Sequence, residues 1–292
     1  MQVLYDIPAP AKLNLFLHVV GRRADGYHLL QSVFALIDWC DTLHVQLRSD
    51  GLLSREDLST PLPPDDLSMR AARALQKASA TPLGAHIGLH KRVPSEAGMG
   101  GGSSDAASCL LALNRLWKLR LSLPQLCRIG ARLGADVPFF LCGRNAWVEG
   151  IGDVIRPIDL PSALFMVVKP PQGLATAAIF QDPGLKRDSE TATITGFADD
   201  PYGYGRNDLQ PVAQRLCPGV VIGLEWLQSR GLRGRMTGSG SAVFAPAGEK
   251  RELGDAPAGF QQRWCAGLDV HPLAGWADSD DLPVPGFGLA PV

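Results

Sequence analysis

Residues 94–105, Pro94-Ser95-Glu96-Ala97-Gly98-Met99-Gly100-Gly101-Gly102-Ser103-Ser104-Asp105, run straight into a segment whose apolar residues Ala107, Leu110, Leu111, Leu113 and Trp117 recur at helical spacing. A loop with three consecutive glycines therefore feeds a helix N-terminus. Glycine has no Cβ, so backbone amides at Gly100, Gly101 and Gly102 can approach a ligand closely. The unpaired first-turn N–H groups and the positive end of the helix dipole add to this, and together they form a phosphate cradle. The plainer alternative is a flexible loop ending in a serine helix cap. Common glycine patterns do not fit. A P-loop needs G-x-x-x-x-G-K-[ST], and no Lys follows these glycines. The dinucleotide fingerprint G-x-G-x-x-G finds Ser103 at its last position. Protein-kinase H-R-D and D-F-G signatures are absent.

Two further segments bring chemistry to such a loop. Residues 11–20 alternate, with Lys12, Asn14 and Phe16 on one face and Leu13, Leu15, Leu17 and Val19 on the other, the pattern of a strand that presents an ammonium beside an amide. Ser122 and Pro124 open a helix predicted to end at Leu133 and Gly134, after which Ala135-Asp136-Val137-Pro138 cannot continue it, so Asp136 falls on a constrained turn. Read alone, Asp136 is an ordinary turn residue and Lys12 a solvated strand lysine. Beside a phosphate cradle the two become a base and a cation for one reaction.

The rest of the chain sets the frame. A loop is expected over residues 21–26, an apolar element over 29–37, a separate strand over 42–47, an exposed connection over 49–64, a helix over 67–79 and a strand over 85–90. Gly150, Gly152, Pro157 and Pro161 suggest a domain boundary, followed by an apolar run at 163–168, a helix through 175–180 and a mobile polar stretch over 182–200. At 292 residues two domains are expected, 1–155 and 156–276, with 277–292, acidic and proline-bearing, disordered.

Composition narrows the partners. With 28 Lys plus Arg against 29 Asp plus Glu, there is no global positive field for nucleic acid or an anionic bilayer. The N-terminus lacks a basic region followed by an apolar run, and no apolar stretch approaches the roughly 20 residues that span a bilayer. A cytoplasmic protein acting on a small molecule is expected. The six cysteines include no C-x-x-C pair, which argues against a zinc or disulfide framework, and no protein metal ligands are assigned.

The glycine loop resembles the second motif of the GHMP kinases, P-x-x-x-G-[LM]-G-[GS]-S-[SA]. Pro10-Ala11-Lys12-Leu13-Asn14-Leu15 is similar to that family's first motif and Met236-Thr237-Gly238-Ser239-Gly240-Ser241-Ala242 to its third. Gly21-Arg22-Arg23-Ala24-Asp25-Gly26-Tyr27-His28, Gly134-Ala135-Asp136-Val137-Pro138-Phe139-Phe140, Asn207-Asp208-Leu209 and His271-Pro272-Leu273 are similar to one branch of the family. The resemblance implies an α+β, two-domain GHMP kinase fold, with a left-handed βαβ unit in a nucleotide-binding domain and a ferredoxin-like second domain. It also implies ATP with Mg2+ and phosphorylation of a hydroxyl on a diphosphocytidyl sugar alcohol.

Roles follow from the same resemblance. Asp136 is the base and Lys12 its charged neighbour. Pro94, Ser95, Glu96, Ala97, Gly98, Met99, Gly100, Gly101, Gly102, Ser103 and Ser104 hold the nucleotide phosphates. Tyr27, His28 and Phe180 form a cytidine pocket, with core packing and loop anchoring as the alternatives for the two aromatics. Asn14, Lys91, Thr176, Gly238 and Ser239 are further substrate or nucleotide contacts. Two departures stand out: Glu96 brings a negative charge to the loop, either pointing outward or lowering ATP affinity, and Asp66 replaces the Asn that related kinases hold near adenine. Rival expectations are another GHMP specificity, homoserine or mevalonate type, and a catalytically silent ligand-binding regulator. A monomer and a weak homodimer are both compatible.

Overall fold

The computed structural model describes residues 2–277. Two long strands, β1 (Val3–Arg22) and β2 (His28–Arg48), pair antiparallel along nearly their whole length, from Val3 opposite Gln46 to Arg22 opposite His28. The separate strand expected at 42–47 is the continuation of β2. Register shifts at Pro10/Ala11 and Asn14/Leu17 divide the ribbon, as bulges do where a strand must re-aim its side chains. They flank Lys12 and Asn14.

Residues 49–64, expected as an exposed connection, contain β3 (Leu53–Asp57), which pairs parallel with β4 (Gly84–His90). A parallel pair needs a crossover, and α1 (Leu67–Ser79) supplies it. The start of α1 is capped by Asp66, which accepts from the backbone N–H groups of Ser68 and Met69 and also pairs with the buried guanidinium of Arg55. Asp66→Ala is expected to lower stability by about 1–2 kcal/mol in urea unfolding, with Asp66→Asn, which keeps the cap, recovering most of it.

The central helix α2 (Gly101–Leu116) packs against α1 and β1, and its small and apolar run from Ala106 to Leu113 is buried almost throughout. Burial of Leu110, Leu111 and Leu113, at about 1.5–3 kcal/mol each, holds the glycine loop's helix firmly in place. Next come α3 (Leu123–Ala131) and α4 (Val137–Cys142), then β5 (Ala146–Glu149), paired with β2 at Ser32, Val33 and Phe34, and β6 (Val154–Pro157).

The second half contributes β7 (Leu164–Lys169), α5 (Thr176–Gln181), α6 (Ile194–Asp199), α7 (Gln210–Leu216), α8 (Pro218–Ser229), β8 (Arg235–Met236), β9 (Val243–Ala247) and β10 (Gln261–Leu268). Its antiparallel sheet runs β10-β7-β9-β8 and joins the first half where Gly267 and Leu268 of β10 meet Ile37 and Leu36 of β2. The halves also share a core: Leu13, Leu15 and Phe16 pack with Phe165, Val167 and Phe244.

The polar stretch 182–200, expected to be mobile, is pinned. Ser189 donates its N–H to the Val19 carbonyl and its hydroxyl to Asp208, Ala192 N–H donates to Gln31, and Leu185 and Ala192 are buried. Three short anchors offset its polar composition. Ala277, counted with the disordered tail, is buried against the first core; the rest of that segment, 278–292, lies outside the described residues. All six cysteines are free, and no helix among the described residues is long and apolar enough to cross a membrane.

Candidate active site

The glycine loop and the start of α2 form one wall of a cleft of about 530 Å³. The N-cap of α2 is Gly100 at φ 70°, and no side chain caps the helix. The serine-cap alternative therefore does not hold: Ser103 lies inside the first turn, and Ser104 is fully buried beneath it. The first-turn amides are left for a ligand.

A second glycine turn, at 237–241, is locked to the first. Ser241 N–H donates to the Glu96 carbonyl at 3.0 Å and Ala242 N–H to that of Ala97 at 3.2 Å. Asn207 Nδ2 donates to the carbonyls of Met236 and Gly238 from behind. The two turns touch backbone to backbone, with Gly98 at φ 71° and Gly238 at φ 54°. The exposed Glu96 carboxylate lies against Gly173, in the turn preceding α5.

Lys12 is held to this loop by its own backbone, whose N–H donates to the Met99 carbonyl at 3.0 Å. Its ammonium donates to Asn14 Oδ1 at 2.5 Å, lies 4.4 Å from the centre of the Phe34 ring, and stands 3.6 Å from Asp136 Oδ2. Burial pushes the Lys12 pKa down, and the Asp136 carboxylate opposes that shift. Asn14 is fixed in turn, donating to Ser32 Oγ and, through its backbone, to Thr237 Oγ1. Asp136 is the N-cap of α4, where Pro138 in the first turn and Gly134 behind it set the chain's direction. Its side chain is 29% exposed, against 5% for Lys12, so the carboxylate faces the cleft while the ammonium lies beneath it.

The far wall carries Thr176 and Ser239, whose hydroxyls are 2.8 Å apart, together with Gly238 and Phe180. Lys91 also lines the cleft, but its ammonium is committed to Asp41 and Asp105. Burial would lower its pKa, yet the two carboxylates outweigh that and hold it raised. Desolvation pushes the Asp105 carboxyl up to about 8, against the charge of Lys91. Asp105 Oδ1 and the adjacent Ser104 Oγ are buried without hydrogen-bond partners.

A neighbouring pocket of about 630 Å³ shares Leu30, Ile151 and Phe180 with the cleft and is lined by Tyr27, His28 and Arg187. His28 and Phe180 rings stand 5.0 Å apart at 32°, and Tyr27 is 60% exposed. Burial lowers the His28 pKa, with Arg187 and Arg22 acting in the same direction.

Of the residues predicted from sequence, all but three line the cleft: Tyr27 and His28 fall in the adjoining pocket, and Ser104 lies under the loop. Sequence reasoning missed Asp41, Thr237 and Arg187. Thr237 stood inside a recognised motif and was legible there. Asp41 lies 50 residues from Lys91, with no local signal, and Arg187 sits in a stretch whose polarity resembled that of a mobile loop.

The descriptions "GHMP kinases N terminal domain" and "GHMP kinases C terminal" match residues 66–144 and 197–264. The chain is 69% identical to a 4-diphosphocytidyl-2-C-methyl-D-erythritol kinase of Albidiferax ferrireducens, over 97% of this chain and 99% of that protein. It is 64% identical to the protein of that name in Variovorax paradoxus, over 95% and 100%. A crystal structure of 4-(cytidine 5'-diphospho)-2C-methyl-D-erythritol kinase superimposes with a TM-score of 0.74 at 30% identity, covering 91% of this chain and all of that one.

Proposed function

Since the chain belongs to the GHMP kinase family, among the 4-diphosphocytidyl-2-C-methyl-D-erythritol kinases, we propose that its cleft carries out that phosphoryl transfer with Asp136 as base and Lys12 as its cationic partner. The reaction moves a phosphoryl group from ATP to the 2-hydroxyl of 4-diphosphocytidyl-2-C-methyl-D-erythritol, giving the 2-phosphate and ADP. It is a step of isopentenyl diphosphate biosynthesis by the non-mevalonate, methylerythritol phosphate route.

The observation that carries the residue assignment is the 3.6 Å Lys12–Asp136 pair set against uncapped first-turn amides in one cleft. Phosphoryl transfer needs little covalent help from a protein and depends on positioning and charge. Asp136 accepts the proton of the attacking hydroxyl. Lys12, fixed by Asn14 and by the Met99 carbonyl, stands 3.6 Å from the Asp136 carboxylate and offsets negative charge on the transferred group. The amides of the α2 first turn hold phosphate oxygens, and Thr176, Gly238 and Ser239 close the site from the other side. Tyr27, His28 and Phe180 take the cytosine ring.

Mg2+ fits this site. Among the described residues no three His, Cys, Asp or Glu side chains could form a protein cage, which suits an ion held mainly by substrate phosphates. Asp105, which lines the cleft and whose Oδ1 has no partner, is the protein side chain suited to it or to its water shell. When bound, it would neutralise charge on the polyphosphate.

We take residues 1–155 as the nucleotide-binding domain and 156–276 as the second domain, with the protein cytoplasmic, a monomer or weak homodimer, and without nucleic acid or membrane partners. The test is ADP release with ATP, Mg2+ and 4-diphosphocytidyl-2-C-methyl-D-erythritol beside homoserine, mevalonate and galactose. Turnover confined to the cytidylylated alcohol is the expected result; turnover of another alcohol in its place overturns the substrate reading.

A further inference from the structure

Arg187 reaches out of the 182–200 stretch, and all three of its guanidinium nitrogens are engaged. Nη1 donates to the Leu185 carbonyl at 2.9 Å, Nη2 to the carbonyls of Phe180 at 3.1 Å and Asp182 at 2.9 Å, and Nε donates to His28 Nε2 at 3.0 Å. An arginine keeps all its protons at any ordinary pH, so the direction of the last bond is fixed: His28 Nε2 is the acceptor. A neutral imidazole that accepts at one nitrogen carries its proton on the other. Nδ1 makes no hydrogen bond with any described residue and remains as the ring's free donor.

The geometry points to Arg187 as a positioning residue that fixes His28 as the Nδ1–H tautomer, so that His28 favours cytosine over uracil in the pocket it lines. The inference rests on the cytidine reading of that pocket. On its Watson–Crick edge cytosine offers N3 as an acceptor beside O2, whereas N3 of uracil is a donor. An Nδ1–H donor meets a partner in the first and a like group in the second. Leaving a buried polar group unpaired is the strong form of discrimination. Arg187 also holds the carbonyl of Phe180, so the aromatic ring and the reading group of this pocket share one support.

The test combines two measurements on the full-length chain. In ¹⁵N-histidine-labelled protein, with the His28 signals assigned through a His28→Gln variant, long-range ¹⁵N–¹H spectra should show Nδ1 protonated and Nε2 as a bare imine nitrogen. Calorimetric titrations with CDP and UDP should show a preference for CDP. Arg187→Met should reduce that preference about tenfold through weaker CDP binding, and Arg187→Lys, which still donates one hydrogen bond, should restore part of it. The KM for ATP, whose site lies across the cleft, should stay unchanged in both variants. A wild-type Nε2–H tautomer overturns the inference, as does an unchanged CDP:UDP ratio in Arg187→Met. If Met at 187 prevents folding, the wild-type tautomer and the Lys variant decide in the same way. Absence of a CDP preference in the wild type instead removes the cytidine reading, and this inference with it.

Discussion

Replacing Asp136 by Asn should lower kcat by about 10²- to 10⁴-fold, the contribution of a positioned base, with little change in KM for either substrate. The substitution is nearly isosteric, and the backbone at φ −82°, ψ −14° is ordinary for Asn, so the fold has no reason to respond. The plain reading of Asp136, a turn residue capping α4, predicts the opposite. Its side chain makes no cap hydrogen bond, so a purely structural Asp136 would tolerate Asn with activity intact. Single-turnover measurements at saturating ATP separate the two, because they report chemistry without product release. Lys12 belongs to the same test. Removing the ammonium leaves Asp136 without its charge partner and the growing charge on the phosphoryl group without an offset, so Lys12→Met should also lose kcat. Combined with Asp136→Asn it should lose much less than the product of the two single effects, since both act in one step.

The reacting groups were legible in the sequence because each sits in a locally coded element. The alternation around Lys12, the three glycines before an apolar helix and the break before Asp136 are all short-range signals; the chain folds the first two where their patterns indicate, while α3 ends at Ala131, earlier than Leu133, and Val137 and Pro138 open α4. What sequence could not show is what long-range pairing decides. Residues 42–47 read as a strand of their own because no residue within them says that β2 continues unbroken from His28. β3 was hidden among Ser, Asp and Pro residues, since a strand at the sheet's edge is selected by the partner it finds in β4 rather than by its own hydrophobicity. The buried Lys91 triad depends on Asp41, which β2 delivers from 50 residues away. Lys91, read as a ligand contact, lines the cleft with its ammonium held by the carboxylates of Asp41 and Asp105. The 182–200 stretch shows the same limit in reverse: low hydrophobicity predicted mobility, but hydrogen bonds to Val19, Gln31 and Asp208 fix it where Arg187 can reach His28.

Gly98→Ala should be the most damaging small substitution in the loop. A Cβ there would lie 2.2 Å from the Thr237 carbonyl oxygen and 2.8 Å from the Gly240 nitrogen, both backbone atoms of the second glycine turn, and the residue sits at φ 71°. Left-handed backbone costs a residue with a side chain about 1–2 kcal/mol, and forced separation of packed elements adds about 1–3 kcal/mol. A loss of about 2–5 kcal/mol in urea unfolding is expected. Activity should fall further than stability, because the bonds from Ser241 and Ala242 to Glu96 and Ala97 stretch as the turns part, and Lys12 is tethered to the same loop through Met99. Gly102→Ala supplies the contrast. Its Cβ would meet only Leu67 Cδ1, at 3.5 Å, and its position within the first turn of α2 favours Ala over Gly by about 0.5–1 kcal/mol. Stability should hold or rise, while the methyl group, placed on the wall of the cleft, raises the KM for ATP. If both variants lost stability equally, the two glycines would share a packing role and the cradle would have no special claim on Gly102. If only Gly102→Ala lost ATP affinity, the contact between the two turns would be dispensable to the site. The expected pattern, one glycine kept for the meeting of two turns and the other for the ligand, follows from the absence of a Cβ at two positions four residues apart.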